Sequence, residues 1–129
     1  DRRHLADKLA RADFGLSQFF FEVEHYRRMV EELAELGCET PVLPGVMPFV
    51  SVAGTRRMAA MNGARIPDEL QAHMDSVDGD PAATRQLGVA FAADLVAELL
   101  ELDVPGVHLY AMNKAQSIQE IYERLDLRP

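Results

Sequence analysis

A single cysteine, Cys38, and no tryptophan occur in the 129 residues. One thiol cannot close an intramolecular disulfide, and nothing in the composition points to an oxidising compartment. No apolar run approaches the roughly 18 residues that a membrane span needs. The longest nearly charge-free stretch, Cys38 to Thr55, contains Glu39 and is broken by Pro41, Pro44, Gly45 and Pro48. Bases are scarce: 13 against 21 acids, a formal net charge of -8, which argues against a broad nucleic-acid footprint. These absences lead to the expectation of a soluble, cytoplasmic chain with no membrane and no nucleic acid among its partners.

Chemical motifs are absent too. His4, His25, His73 and His108 show no ligand spacing with Cys38 or one another, and no HExxH occurs. Ser17 lacks the GxSxG elbow, and Cys38 has no basic neighbour to lower its pKa. Without GxGxxG or a Walker loop, a Rossmann-type or P-loop nucleotide site finds no support.

What is present is ordinary globular material, 48% apolar and 26% charged, enough for one domain over residues 1–129. The charge is uneven: residues 1–64 carry 8 bases and 9 acids, residues 65–129 carry 5 and 12. Such an acidic half reads as solvated helix faces rather than a cation site. The pairs Arg2-Arg3 and Arg56-Arg57 read likewise as solvated rather than anion-binding.

Periodicity divides the chain. Residues 1–12 form a charged helix with Leu5 and Leu9 inward. Phe14 begins a short apolar run whose first half reads as a buried strand ending near Gln18. In Val23–Leu36, Val23, Tyr26, Val30, Leu33 and Ala34 share one helical face, and Gly37 supplies the left-handed stop. Thr40–Leu43 is a second buried strand closed by Pro44-Gly45, and Val46–Val50 is an extended loop. A helix spans about Val52–Met61 with Gly63 as its cap, and Pro67 opens another as its first helical residue. Asp80 caps a long helix from Pro81 to about Leu102, with Leu87, Phe91, Leu95 and Leu99 inward. Val107–Met112 is a third strand. A last helix starts at Asn113 or Lys114 and buries Ile118, Ile121, Tyr122 and Leu125.

Strands alternating with long helices, without hairpin signals, indicate βαβ units and a parallel sheet. Ligands of such folds sit at the carboxyl ends of the strands. The residues there are Ser17-Gln18, Pro44-Gly45 and Asn113-Lys114. Gln18 stands out: a primary amide beside Phe19-Phe20-Phe21 offers donor and acceptor to a planar heterocycle between aromatic walls. It serves equally well to satisfy loop backbone groups, and chemistry alone leaves both readings open. Gly45 reads as a turn before it reads as a phosphate cradle, and His108 as a core histidine before a ligand.

These strand-end motifs also carry a resemblance. SQFFFEVEHY (17–26), PVLPGVMP (41–48), the IP of residues 66–67 and HLYAMNK (108–114) are similar, in order and spacing, to segments of the methylenetetrahydrofolate reductases. The resemblance covers nearly the whole chain. It implies a parallel (β/α)8 TIM-type barrel of which this chain is the C-terminal part, about the last three βα units and the helix before them. It further implies FAD-dependent reduction of 5,10-methylenetetrahydrofolate to 5-methyltetrahydrofolate with NAD(P)H as co-substrate, in the one-carbon metabolism that supplies methionine.

Position by position, Gln18 falls where the family places a glutamine contacting folate and nicotinamide in turn. Met58 falls where a phenylalanine stacks on the substrate, and Lys114 where an arginine lies near the folate. Asp1, His4 and Lys8 fall in the helix that contacts the FAD ribose and phosphates, His4 replacing an asparagine. Gly54 replaces a glutamine that reaches the folate. The family's general-acid glutamate and flavin-tuning aspartate lie on its first and fourth strands, so this segment is expected to hold no catalytic residue and no metal. Asp1, read as lying inside a helix, leads to the expectation of a piece of a longer chain that needs the N-terminal barrel strands as partner. Alone it is expected to fold poorly or to associate, with a homo-oligomer as one outcome. The alternative is a non-catalytic partial-barrel binding or assembly module.

Overall fold

β1 (Gly15–Phe19), β2 (Val42–Val46) and β3 (His108–Leu109) form one parallel sheet in that spatial order. The computed structural model behind this description covers residues 2–102, 104–110 and 115–125. Around the sheet run α1 (Arg2–Leu9), α2 (Val23–Glu35), α3 (Val52–Met61), α4 (Asp68–Val77), α5 (Pro81–Glu101) and α6 (Ala115–Arg124). The α/β class and the parallel sheet agree with the sequence pattern.

Local chemistry accounts for the helix boundaries. The Ser51 side chain accepts from the Gly54 N–H at 3.1 Å and starts α3; Asp80 Oδ1 accepts from the Ala83 N–H at 3.1 Å and starts α5. Gly37, with φ +79°, ends α2 where a side chain would be strained. Pro67 lies one residue outside its expected place: it is the cap, and Asp68 begins α4.

Two apolar clusters hold the elements together. The larger joins Val42 and Val46 of the sheet to Tyr26, Met29 and Leu33 of α2, Val89, Leu95, Val96 and Leu99 of α5, and Ile121 of α6. The second gathers Phe21, Phe49, Val52, Ala59, Ile66, Leu70 and Met74 under α3 and α4. α5 serves both, Leu95 and Leu99 facing the first while Leu87 and Phe91 stay half-buried against the second. A helix covered on two sides needs more apolar residues than one stripe supplies.

Several expectations need correction. The buried face of α2 is Tyr26, Met29 and Leu33, not the row through Val30 and Ala34, which are exposed. The Tyr26 hydroxyl, donating to the Val42 carbonyl at 2.6 Å, fixes that rotation. Tyr122 is exposed, while Ile121 beside it is fully buried. β1 is not a buried strand: Leu16 and Gln18 alternate onto a face of the strand that nothing among the described residues covers. Pro44-Gly45 does not close β2 but lies inside it, with Pro44 fully buried. A proline is tolerated in this central strand because β1 bulges opposite it: between the pairs Leu16–Leu43 and Phe19–Gly45, two residues of β1 face one of β2.

Candidate functional site

Parallel strands bring the carboxyl ends of β1 and β2 and the residue after β3 to one edge. There Gln18, Phe19, Met47, Met58, Asn62 and Tyr110 line an open depression of about 250 Å³. The structure thus places together two residues singled out from the sequence, Gln18 from a strand end and Met58 from the last turn of α3. Gly54, one turn earlier, does not line the depression.

Gln18 is exposed, and among the described residues its side-chain amide makes no hydrogen bond. It satisfies no loop backbone group among the described residues, and it is exposed at the depression. The aromatic walls expected from three consecutive phenylalanines reduce to one. Phe20 is buried and stacks on Tyr26 at 5.9 Å, and Phe21 is buried against Phe91 at 5.7 Å. Only Phe19 reaches the site, and Tyr110 supplies the second ring.

Beneath Gln18 the backbone is tied down. The Tyr110 hydroxyl donates to the Ser17 carbonyl at 2.9 Å, and the Gly45 N–H donates to Ser17 Oγ at 2.8 Å. Ser17 Oγ in turn lies 3.0 Å from the Gln18 carbonyl, to which it donates. Gly45 is therefore no phosphate-cradling turn. A β-carbon there would lie 2.5 Å from Tyr110 Cε2 and 2.6 Å from the Ser17 carbonyl oxygen. His108 is half-buried and meets the Tyr110 ring edge-on at 4.6 Å.

Among the described residues, several charged groups are engaged with one another. Arg27 grips Glu24 with two N–H donors at 2.8 and 3.1 Å, and these hydrogen bonds hold the Glu24 carboxyl below its usual range. A carboxylate so held is a poor proton donor. Arg56 joins α3 to α4 through Gln71 at 2.9 Å and Asp75 at 2.6 Å, and Arg2 joins α1 to α2 through Glu32. Neither of these arginines is merely solvated, and neither stands ready for an anion.

His4 and Lys8 lie one turn apart on α1, exposed, and among the described residues neither forms an ion pair. They do not line the depression that holds Gln18. Asp1, Asn113 and Lys114 lie outside the described residues. Met47, Asn62 and Tyr110 were not singled out from the sequence. For Tyr110 a signal existed, a tyrosine at the end of the third apolar run, but not for the others.

Comparison with known proteins bears on this edge. A family model described as methylenetetrahydrofolate reductase matches residues 1–126. The probable methylenetetrahydrofolate reductase (NADPH) of Caenorhabditis elegans is 31% identical over 119 residues, covering 92% of this chain and 18% of that protein. The 5,10-methylenetetrahydrofolate reductase of Escherichia coli K12 is 30% identical over 120 residues, covering 93% and 40%. Methylenetetrahydrofolate reductase (NADH) 1 of Arabidopsis thaliana is 29% identical over 128 residues, covering 98% and 22%. The chain thus spans less than half the length of these curated relatives.

Proposed function

The chain belongs to the methylenetetrahydrofolate reductase family, and we propose that it supplies the folate- and nicotinamide-facing part of a cytoplasmic flavoenzyme. That enzyme reduces 5,10-methylenetetrahydrofolate to 5-methyltetrahydrofolate with NAD(P)H. In the same reading, β1, β2 and β3 are the closing strands of a (β/α)8 barrel, whose active site lies at the strands' carboxyl ends.

The observation that carries the reading is the Gln18 amide, without a partner among the described residues, over the depression shared with Met58 and Tyr110. A primary amide donates and accepts, so it can pair with the amide and carbonyl edges of a pterin and then with a carboxamide of nicotinamide. Met58 lays a polarizable thioether along a ring, less rigidly than an aromatic side chain. Phe19, Met47 and Tyr110 keep water from one side of the bound heterocycle, which strengthens each hydrogen bond made there. Lys114, by the resemblance, offers charge to the folate without an arginine's two-pronged geometry.

The exposed imidazole of His4 and ammonium of Lys8 fit the ribose and phosphates of FAD in donor chemistry, with Asp1 beside them in sequence. When bound, FAD would accept a hydride from NAD(P)H and deliver it to the folate. The residues of this chain bind and orient; the proton donor that assists opening of the methylene bridge belongs to the preceding strands.

The test is Gln18→Ala in the full-length enzyme. Loss of one hydrogen-bonding group predicts turnover with 5,10-methylenetetrahydrofolate falling about tenfold or more while flavin absorbance is retained. Unchanged turnover would refute the assignment, and a full-length protein that carries no flavin would favour the non-catalytic module.

A further inference from the structure

We infer that Tyr110 is a positioning residue whose hydroxyl, acting through Ser17, holds the Gln18 amide over the depression; this rests on the reductase reading of that site. β1 bulges opposite Pro44. An inserted residue leaves part of the ladder unpaired, and Pro44 opposite it has no N–H to offer. Side chains supply the missing partners. The Tyr110 hydroxyl donates to the Ser17 carbonyl, the Gly45 N–H donates to Ser17 Oγ, and Ser17 Oγ donates to the Gln18 carbonyl.

The carbonyls of Ser17 and Gln18 are therefore both held, the first by a residue 93 positions along the chain and the second by the Ser17 hydroxyl, which itself accepts from the Gly45 N–H of β2. Among the described residues the Gln18 side chain itself has no hydrogen-bond partner. Fixed backbone and free amide together are what a residue needs to meet two ligands in turn without reorganising. The absent β-carbon at Gly45 gives the Tyr110 ring its place, and His108 braces that ring from its edge.

A double-mutant cycle in the full-length flavin-loaded enzyme tests this. Tyr110→Phe keeps the ring and removes one neutral hydrogen bond, so kcat/KM for NAD(P)H and for 5,10-methylenetetrahydrofolate should each fall about two- to tenfold. Both substrates lose alike because Gln18 serves both. In a Gln18→Ala background the same change should have no further effect on either. Equal losses in both backgrounds, or no loss in the first, would overturn the inference and leave the functional reading intact. Gln18→Ala with unchanged rates would overturn both. Should Tyr110→Phe fail to yield holoenzyme, Ser17 gives the same test: Ser17→Ala should slow both substrates and Ser17→Thr, which keeps Oγ, should restore them. Full activity in Ser17→Ala would overturn the inference.

Discussion

Gly88 of α5 lies so close to Phe49 that a β-carbon at Gly88 would stand 1.9 Å from the Phe49 carbonyl oxygen. The obstacle is backbone, so it cannot rotate away as a side chain would. Alanine elsewhere in a helix gains up to about 1 kcal/mol over glycine. Here overpacking should outweigh that gain, and Gly88→Ala should destabilise the protein by about 2 kcal/mol or more. A chemical-denaturation midpoint reads this directly; a neutral or raised midpoint would show that α5 and the 47–51 segment can part.

Tyr26 offers a pH-dependent prediction. Burial, which disfavours the charged phenolate, pushes its phenol above the ordinary value of 10.0, and the neutral form donates to the Val42 carbonyl. With the folded-state pKa raised, this contribution is fully present below pH 10 and is lost as pH climbs through 10 towards the folded-state value. Tyr26→Phe should therefore lower stability by about 1 kcal/mol near neutrality. The gap from wild type should close on raising the pH past 10, as alkaline melts would record.

Met58 bears on affinity rather than on folding. If it flanks the bound heterocycle, Met58→Phe adds a stacking ring, and aromatic contacts of that kind contribute about 0.5–1.5 kcal/mol. The full-length enzyme carrying Met58→Phe should then show a KM for 5,10-methylenetetrahydrofolate lower by about two- to tenfold. A raised KM would mean that the depression has no room for the ring.

Exposed apolar groups at and just before β1 predict the behaviour of the 129-residue chain in isolation. Phe14 and Leu16 are 55% and 47% exposed, and β1 is paired on one side only. Such an edge recruits further strands. Light scattering should report a mass that rises with concentration, and Leu16→Lys should reduce it. A concentration-independent monomer with a cooperative melt would contradict this.

Much of this architecture was legible in the sequence, because the rules that made it so are local. The cap of α5 rests on a side chain three residues from the N–H it satisfies, and the stop at Gly37 needs only a left-handed residue. Pro44-Gly45 misled for the same reason. Locally that dipeptide means a turn, and only a bulge on the neighbouring strand makes a proline acceptable in the middle of β2. Gln18 was legible as a candidate, but its freedom was not. Whether an exposed amide is satisfied depends on groups that sequence spacing does not reveal.

What the sequence by itself determined, then, was the order of helices and strands, the parallel arrangement they require, and motifs specific enough to indicate a family. Hydrophobic periodicity and capping act over one or two turns, so they survive reading in one dimension. Tertiary structure alone decided which aromatic of the FFF run meets the site, which face of α2 is buried, and how Ser17, Gly45 and Tyr110 meet. Those outcomes rest on strand register and on hydrogen bonds between residues up to 93 positions apart, and such contacts form only once the sheet has set its neighbours.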